Sequence, residues 1–235
     1  SLDMRQKILI ATNNLNKIRE IQNILSDFDL ITPQELGIDL EIEENGNTFE
    51  ENAEIKAESF CKASGMLSLA DDSGLEVECL GGEPGVHSHR YCPKPDATDA
   101  DRRAFLLENL KGKPRPWKAR FYCAAALCDP KSSEIQLVHG ICNGEIIPEE
   151  RGNGGFGYDP IFWIPERGMT LAEMSENEKN ESNATNSTEP GSAATDPQTN
   201  KSSKTGDPSL KNAWKQVENI GQALGDALQG RGNVV

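Results

Sequence analysis

Ala70-Asp71-Asp72-Ser73-Gly74-Leu75-Glu76-Val77 sets two adjacent carboxylates between an apolar run and a glycine. Ser68-Leu69-Ala70 reads as the end of a buried strand. Gly74 reads as a turn, and Leu75 and Val77, alternating with Glu76 and Glu78, read as a second, half-buried strand. A carboxylate at such a junction is exposed enough to hold a metal ion and fixed enough to aim it. Successive side chains of extended backbone point to opposite faces, so at most one of Asp71 and Asp72 is expected to face a substrate. A turn with solvated acids has the same pattern, and other segments have to decide.

Three of them carry chemistry. Ile10-Ala11-Thr12-Asn13-Asn14-Leu15-Asn16-Lys17 passes from a short apolar strand into a helix. The helix start offers unpaired N–H groups and the positive end of a dipole, Thr12 and Asn13 add polar groups, and Lys17 lies one turn in. That is a seat for a phosphate, although it lacks the glycines of a Walker loop and equally describes a capped helix. Glu43-Glu44-Asn45-Gly46 precedes a second helix that carries Lys56. Acids there favour the helix dipole, and Lys56 either snorkels to solvent or points into a cleft to meet an anion. Gly154-Gly155-Phe156-Gly157-Tyr158-Asp159-Pro160 lets the backbone take positive φ and approach a ligand closely. Phe156 could stack on a purine there, or the aromatics could tuck into the core of a tight turn.

The elements that position these residues follow from periodicity. Lys7 to Ala11 is a strand, followed by a helix with Ile18, Ile21, Ile24 and Leu25 on one face. Thr48 and Glu51 form a capping box for a helix that ends near Gly65, and Thr98 or Asp99 caps another through Leu110. Phe121 to Leu127, Ile135 to Ile141 and Ile161 to Ile164 read as strands. Strands alternate with helices early and adjoin each other later, which predicts an α/β protein with a mixed central sheet flanked by helices. From Ser175 to Gly206, large apolar residues disappear, so 175–206 is expected to be a disordered polar loop. Asp207-Pro208 then starts a helix, whose stripe of Leu210, Trp214, Val217, Leu224 and Leu228 would dock over 207–230.

The net charge of −14 argues against nucleic acid and anionic membrane as partners, because both need a basic face. A small anion would need local cations. No apolar run is long enough to span a bilayer, and no signal-peptide pattern opens the chain. None of the six cysteines forms a Cys-x-x-Cys pair, which fits reduced thiols in the cytoplasm. His87-x-His89 lacks a third ligand nearby.

Five segments in order carry a family resemblance. They are Ile-Ala-Thr-Asn-Asn-x-x-Lys-x-x-Glu (Ile10 to Glu20), Thr-Phe-x-Glu-Asn-Ala-x-x-Lys-Ala (Thr48 to Ala57), Ala-Asp-Asp-Ser-Gly-Leu-x-Val (Ala70 to Val77), Leu-Gly-Gly-x-Pro-Gly-Val-x-Ser-x-Arg-Tyr (Leu80 to Tyr91) and Gly-Gly-Phe-Gly-Tyr-Asp-Pro-Ile-Phe (Gly154 to Phe162). In them the chain resembles the inosine triphosphate pyrophosphatase family, from about Lys7 to Lys179. The resemblance implies an elongated, two-lobed fold with the pyrophosphatase domain over 4–174, and a homodimer. It implies Mg²⁺-dependent hydrolysis of ITP, dITP and XTP to the monophosphate and pyrophosphate. Carried over by position, it assigns substrate contacts to Thr12, Asn13, Asn14, Lys17, Lys56, Ser73, Arg90, Phe156, Gly157, Tyr158, Asp159 and Lys179. It assigns Mg²⁺ ligation to Glu44 and Asp72, with Asp72 also the general base.

The resemblance breaks after Lys179. The family carries Ser-His-Arg there, whose His and Arg help read a 6-oxo purine, whereas this chain continues Asn180-Glu181-Ser182-Asn183-Ala184-Thr185. No histidine follows His139, and Asn219-Ile220 stands where the pair would fall if the last helix were displaced by the polar segment. A lost charge-assisted donor to a carbonyl costs about 1.5–3 kcal/mol. The same chemistry with altered base choice, or a nucleotide-binding protein without turnover, are the alternatives this departure opens.

Overall fold

The computed structural model describes residues 5–186. One seven-stranded sheet runs through it in the order β2-β1-β3-β4-β5-β6-β7. β1 (Lys7–Ile10) is parallel to both β2 (Asp29–Ile31) and β3 (Ser68–Val77). β4 (Trp117–Cys128), β5 (Ile135–Ile146), β6 (Phe162–Ile164) and β7 (Met169–Thr170) continue antiparallel from β3. The sheet is mixed, as the changing rhythm of the sequence predicts.

Two connections decide where a ligand can sit. α1 (Leu15–Ile24) leads from β1 to β2, and α2 (Phe49–Ser64) leads from β2 across to β3 on the other side of β1. Ile21 and Leu25 pack with Leu69, Cys123 and Leu127 on one face of the sheet. Phe49, Ala53, Ala57 and Cys61 pack with Ala70, Ala124 and Ala126 on the other. The chain therefore leaves the carboxyl end of β1 for one face and returns on the opposite one. Such a switch point leaves a crevice beyond the strand ends.

A third core lies toward the other end of the long strands. Leu75, Val77, Trp117, Cys142 and Ile146 pack there with Leu106 and Leu110 of α3 (Asp99–Leu110) and with Leu171 of α4 (Leu171–Asn186). Two lobes thus share β3, β4 and β5, and residues 71–73 lie between them.

The helix starts show their chemistry. Thr48 Oγ1 accepts the Glu51 N–H at 3.1 Å, but Glu51 Oε2 accepts from Asn47 rather than Thr48, so half of the expected box forms one residue early. Thr98 and Asp101 make a complete box. Gly65 closes α2 in the left-handed region, as expected.

Two expectations need correction. Asp-Asp-Ser-Gly is no turn: β3 is continuous, and all ten of its residues pair with β4. Gly74 is there for close approach, since a Cβ would sit 2.5 Å from the Gly85 carbonyl oxygen and 2.7 Å from Ser88 Oγ. Nor is Ser175 the start of a disordered loop, because α4 runs to Asn186. Thr170 and Glu173 exchange hydrogen bonds at its start, at 3.1 and 3.2 Å, and Leu171, Ala172 and Ser175 are buried. A docked and capped first turn supplies the costly nucleus, after which polar residues without Gly or Pro can continue the helix. The rest of the polar segment and the helix expected over 207–230 fall outside the described residues.

None of the six cysteines is in a disulfide. No helix among the described residues is long and apolar enough to cross a membrane.

Leu69 is fully buried where β3 meets α1. Leu69→Ala is expected to destabilise the fold by about 2–5 kcal/mol, read as a lower urea midpoint at unchanged m-value.

Candidate active site

β1 stops pairing with β3 at Leu69, two residues before Asp71. The chain beyond β1, Ala11 to Asn14, turns over this free stretch of β3 into α1. Thr12 Oγ1 accepts the Asn14 N–H at 3.1 Å, and Asn14 Oδ1 accepts the Lys17 N–H at 3.3 Å, so the polar turn caps the helix with its own side chains. Asn13 is exposed. Lys17 folds back from the first turn, and its Nζ lies 2.8 Å from Asp71 Oδ2. Ser73, two residues along the same strand face, donates its hydroxyl to Asp71 Oδ2 at 3.2 Å.

On the opposite face, Asp72 meets α2. Asn52 Nδ2 donates to Asp72 Oδ2 at 2.9 Å. Lys56 Nζ donates to the Asp71 carbonyl at 2.9 Å and forms an ion pair with Glu44. Lys56 thus turns back onto β3 and Glu44 instead of snorkelling. Two cations stand here, Lys17 and Lys56, each paired with a carboxylate.

The two aspartates are tuned in opposite directions. Burial pushes the Asp71 carboxyl upward, but Lys17 and Lys56 overrule it and hold it below the ordinary carboxylate range. Burial alone would pull the Lys17 ammonium down, and Asp71 reverses this and holds it raised. Asp71–Lys17 is therefore a locked ion pair. Asp72 is pushed up to about 6, first by desolvation and further by the Glu44 charge, against the Asn52 hydrogen bond. Asp72, raised in part by the Glu44 charge, forms with Glu44 a pair of oxygen donors that a divalent cation would relieve. Among the described residues, no group of three or more His, Cys, Asp or Glu is arranged to hold a metal, and His87 and His89 belong to none.

The glycine-rich loop is built separately. Gly154 lies against α4, where a Cβ would meet the Ala172 carbonyl oxygen at 2.6 Å. Phe156 is 68% exposed. Asp159 is buried and accepts the Phe156 N–H at 3.1 Å, while Tyr158 is buried and donates its hydroxyl to the Ser88 carbonyl at 2.7 Å. The Gly157 peptide is gripped at both ends: Asp99 Oδ2 accepts its N–H at 3.1 Å, and Arg103 Nη1 donates to its carbonyl at 2.7 Å. So Tyr158 and Asp159 brace the loop, and Phe156 is the side chain it presents.

Direct contacts bring Lys17, Glu44, Lys56, Asp72 and Ser73 together with Asn52 and Asp71, and Thr12 and Asn14 shape the turn above them. Arg90 is exposed at the end of the short helix Gly85–Arg90 and Lys179 lies on α4. The 156–159 loop is held instead by α3 and by Ser88. Ser88 joins the two regions, since its Oγ accepts the Leu75 N–H at 2.9 Å and its carbonyl holds Tyr158. Asn52 and Arg103 escape the sequence reading, and Asp99 enters it only as a helix cap: a buried Asn inside a helix breaks no period, and the partners of Gly157 lie 54 and 58 residues away in sequence. A hollow of about 620 Å³ between Glu76, Lys118, Arg120, Glu145 and Glu166 contains none of these groups, and its Arg120 is paired with Glu76 at 2.8 Å.

Asp72 carries a stability cost that can be measured. A carboxyl whose pKa is higher folded than unfolded supports the fold at low pH and loses that support as pH rises from about 4 through about 6. Asp72→Asn keeps an acceptor for Asn52 and removes the charge. It is expected to be more stable than the parent at pH 8, by on the order of 1 kcal/mol after solvent screening, and equal at pH 4. Urea unfolding at the two pH values checks this.

The Ham1 family matches residues 8–186. The dITP/XTP pyrophosphatase of Escherichia coli O157:H7 is 46% identical over 177 residues, covering 74% of this chain and 89% of that protein. The dITP/XTP pyrophosphatase of Bacillus licheniformis is 44% identical over 176 residues, with the same coverage. A solved HAM1 protein from Coxiella burnetii superposes with a TM-score of 0.75 at 34% identity, covering 93% of this chain and 99% of that one.

Proposed function

The chain belongs to the Ham1 family, and from that premise we propose that it is a nucleoside triphosphate pyrophosphatase, hydrolysing dITP, XTP and ITP to the monophosphate and pyrophosphate with Mg²⁺. The observation that carries the reading is the cluster of paired charges just beyond the carboxyl end of β1. There Lys17 and Lys56 flank β3, and Asp72 faces Glu44 across the return of α2.

Hydrolysis at the α-phosphorus builds negative charge on a pyrophosphate leaving group. The capped start of α1 and the two lysines supply fixed positive potential for it. Asp71 keeps Lys17 charged and aimed. Glu44 and Asp72 would hold the divalent cation, an oxygen pair suited to Mg²⁺, which keeps water and phosphate oxygens in its other positions. When bound, that ion offsets phosphate charge and acidifies water. Asp72 accepts the proton of the attacking water, a role open to an ionised carboxylate held beside Glu44 by Asn52. Phe156 offers a face for the base, and Arg90 and Lys179 are further substrate contacts in the same reading. The remaining expectations travel with it: a homodimer in the cytoplasm acting on free nucleotides, in line with the net charge of −14.

The absence of any histidine after His139 favours a second reading, the same reaction with relaxed base choice. A panel of ITP, dITP, XTP, ATP and GTP at equal Mg²⁺, with pyrophosphate measured, separates the two. Strong preference for the first three sinks the second reading. Asp72→Asn is expected to lower kcat by about 10²–10⁴-fold. The acid limb of kcat/KM should lie at or below about pH 6, because a bound cation draws the Asp72 carboxyl down. A chain that binds these nucleotides but releases no pyrophosphate would be a nucleotide-binding protein instead.

A further inference from the structure

We propose that Asn52 is the positioning residue that fixes the separation of the two metal-binding carboxylates, clamping the Glu44–Gly46 segment and Asp72 with the two ends of one buried amide. The proposal rests on the reading of Glu44 and Asp72 given above.

Asn52 is 2% exposed, in the first turn of α2 between Phe49 and Ala53 of an apolar core. Its Oδ1 accepts the Gly46 N–H at 2.8 Å, and its Nδ2 donates to Asp72 Oδ2 at 2.9 Å. The orientation of the amide is forced. A backbone N–H can only donate, so the atom facing Gly46 must be oxygen, and an ionised carboxylate can only accept, so the atom facing Asp72 must be nitrogen. Flipping the group would oppose donor to donor at one end and acceptor to acceptor at the other.

The seat is specific from its other side as well. A Cβ on residue 46 would lie 2.6 Å from Asn52 Oδ1 and 2.8 Å from the Glu51 Cβ, so the loop reaches the amide only as glycine. Lys56 stands one turn further along α2 and pairs with Glu44 itself. Residues 52 and 56, at i and i+4, share one face of the helix. That face therefore holds the 44–46 segment at two points and Asp72 at one.

A buried amide in a helix contributes little to packing and is costly unless both polar ends are satisfied. Here both are, one end by Asp72 and the other by the backbone of Gly46, two residues after Glu44. Aspartate at 52 would keep the acceptor for Gly46 but set a second negative group against Asp72. Leucine would fill the space and hold neither partner.

The experiment uses the full chain and three variants, Asn52→Ala, Asn52→Asp and Gly46→Ala, each checked for a cooperative thermal melt. Two quantities are read. One is Mn²⁺ affinity by electron paramagnetic resonance, with a non-hydrolysable α,β-imido inosine triphosphate present. The other is the Mg²⁺ concentration giving half-maximal pyrophosphate release. Loss of a group that orients a metal ligand costs ~10–100-fold in affinity, so both readouts should weaken by that factor. KM for ITP at saturating metal should move by less than about threefold, a split that general loosening of the fold would not produce. Gly46→Ala should match Asn52→Ala although Asn52 is intact, and it decides the matter if the Asn52 variants do not fold. Parent-like Mn²⁺ affinity in the folded variants overturns the proposal, as does a parent chain that binds no Mn²⁺. If the parent binds Mn²⁺ but releases no pyrophosphate, the functional reading falls, and the Mn²⁺ titration still decides the role of Asn52.

Discussion

The ion pair between Lys17 and Asp71 is the contact on which the crevice depends. It joins the first turn of α1 to the first stretch of β3 that β1 no longer covers. Asp71 is 5% exposed, so its charge is tolerable only with a partner. Lys17, Lys56 and the Ser73 hydroxyl all converge on this one residue, through its side chain or its carbonyl. With Asp71 locked, strand alternation throws Asp72 to the other face, toward α2. The division of labour between neighbouring acids is thus a matter of pleat: one is spent on structure, and its neighbour is left with a perturbed carboxyl in the cleft.

The same logic explains why polar groups are so dense where the two lobes meet. Three apolar clusters anchor the sheet at its ends and faces, and residues 71–73 lie between them. Every buried polar atom there needs a partner, and the partners come from different elements: Asn52 and Lys56 from α2, Lys17 from α1, Ser88 from the segment after β3. The site is consequently also the joint that holds α1, α2 and β3 in register. Asp72 is the exception to mutual support, since desolvation and Glu44 both oppose its ionised form. A strained acid held in place by well-satisfied neighbours is the usual compromise between stability and chemistry.

Much of this was legible in the residues. Helical spacing of Ile18, Ile21 and Leu25 gave the buried face of α1, and alternation at Leu75 and Val77 gave the core side of β3, because both signals are local and periodic. The expectation that Asp71 and Asp72 face different ways followed from the same period of two. Gly74 misled because a glycine signals either a turn or a close approach, and only the segment Gly85–Arg90, distant in sequence, shows which. α4 misled because composition counts apolar residues but not the cap at Thr170 and Glu173 that starts the helix. The Asn52 bridge and the Asp99–Arg103 grip on Gly157 join residues far apart in the chain, and no periodicity announces such pairs.

That grip reaches beyond the loop it holds. Both ends of the Gly157 peptide are fastened to α3, Asp159 ties down the neighbouring amide, and Tyr158 is pinned to Ser88, yet Phe156 stands out with most of its ring in water. An aromatic ring on so stiff a mount has its backbone entropy lost already, at the moment of folding. Any flat molecule that stacked on it would have only the ring's own rotation left to quench, so more of the stacking energy would survive as affinity.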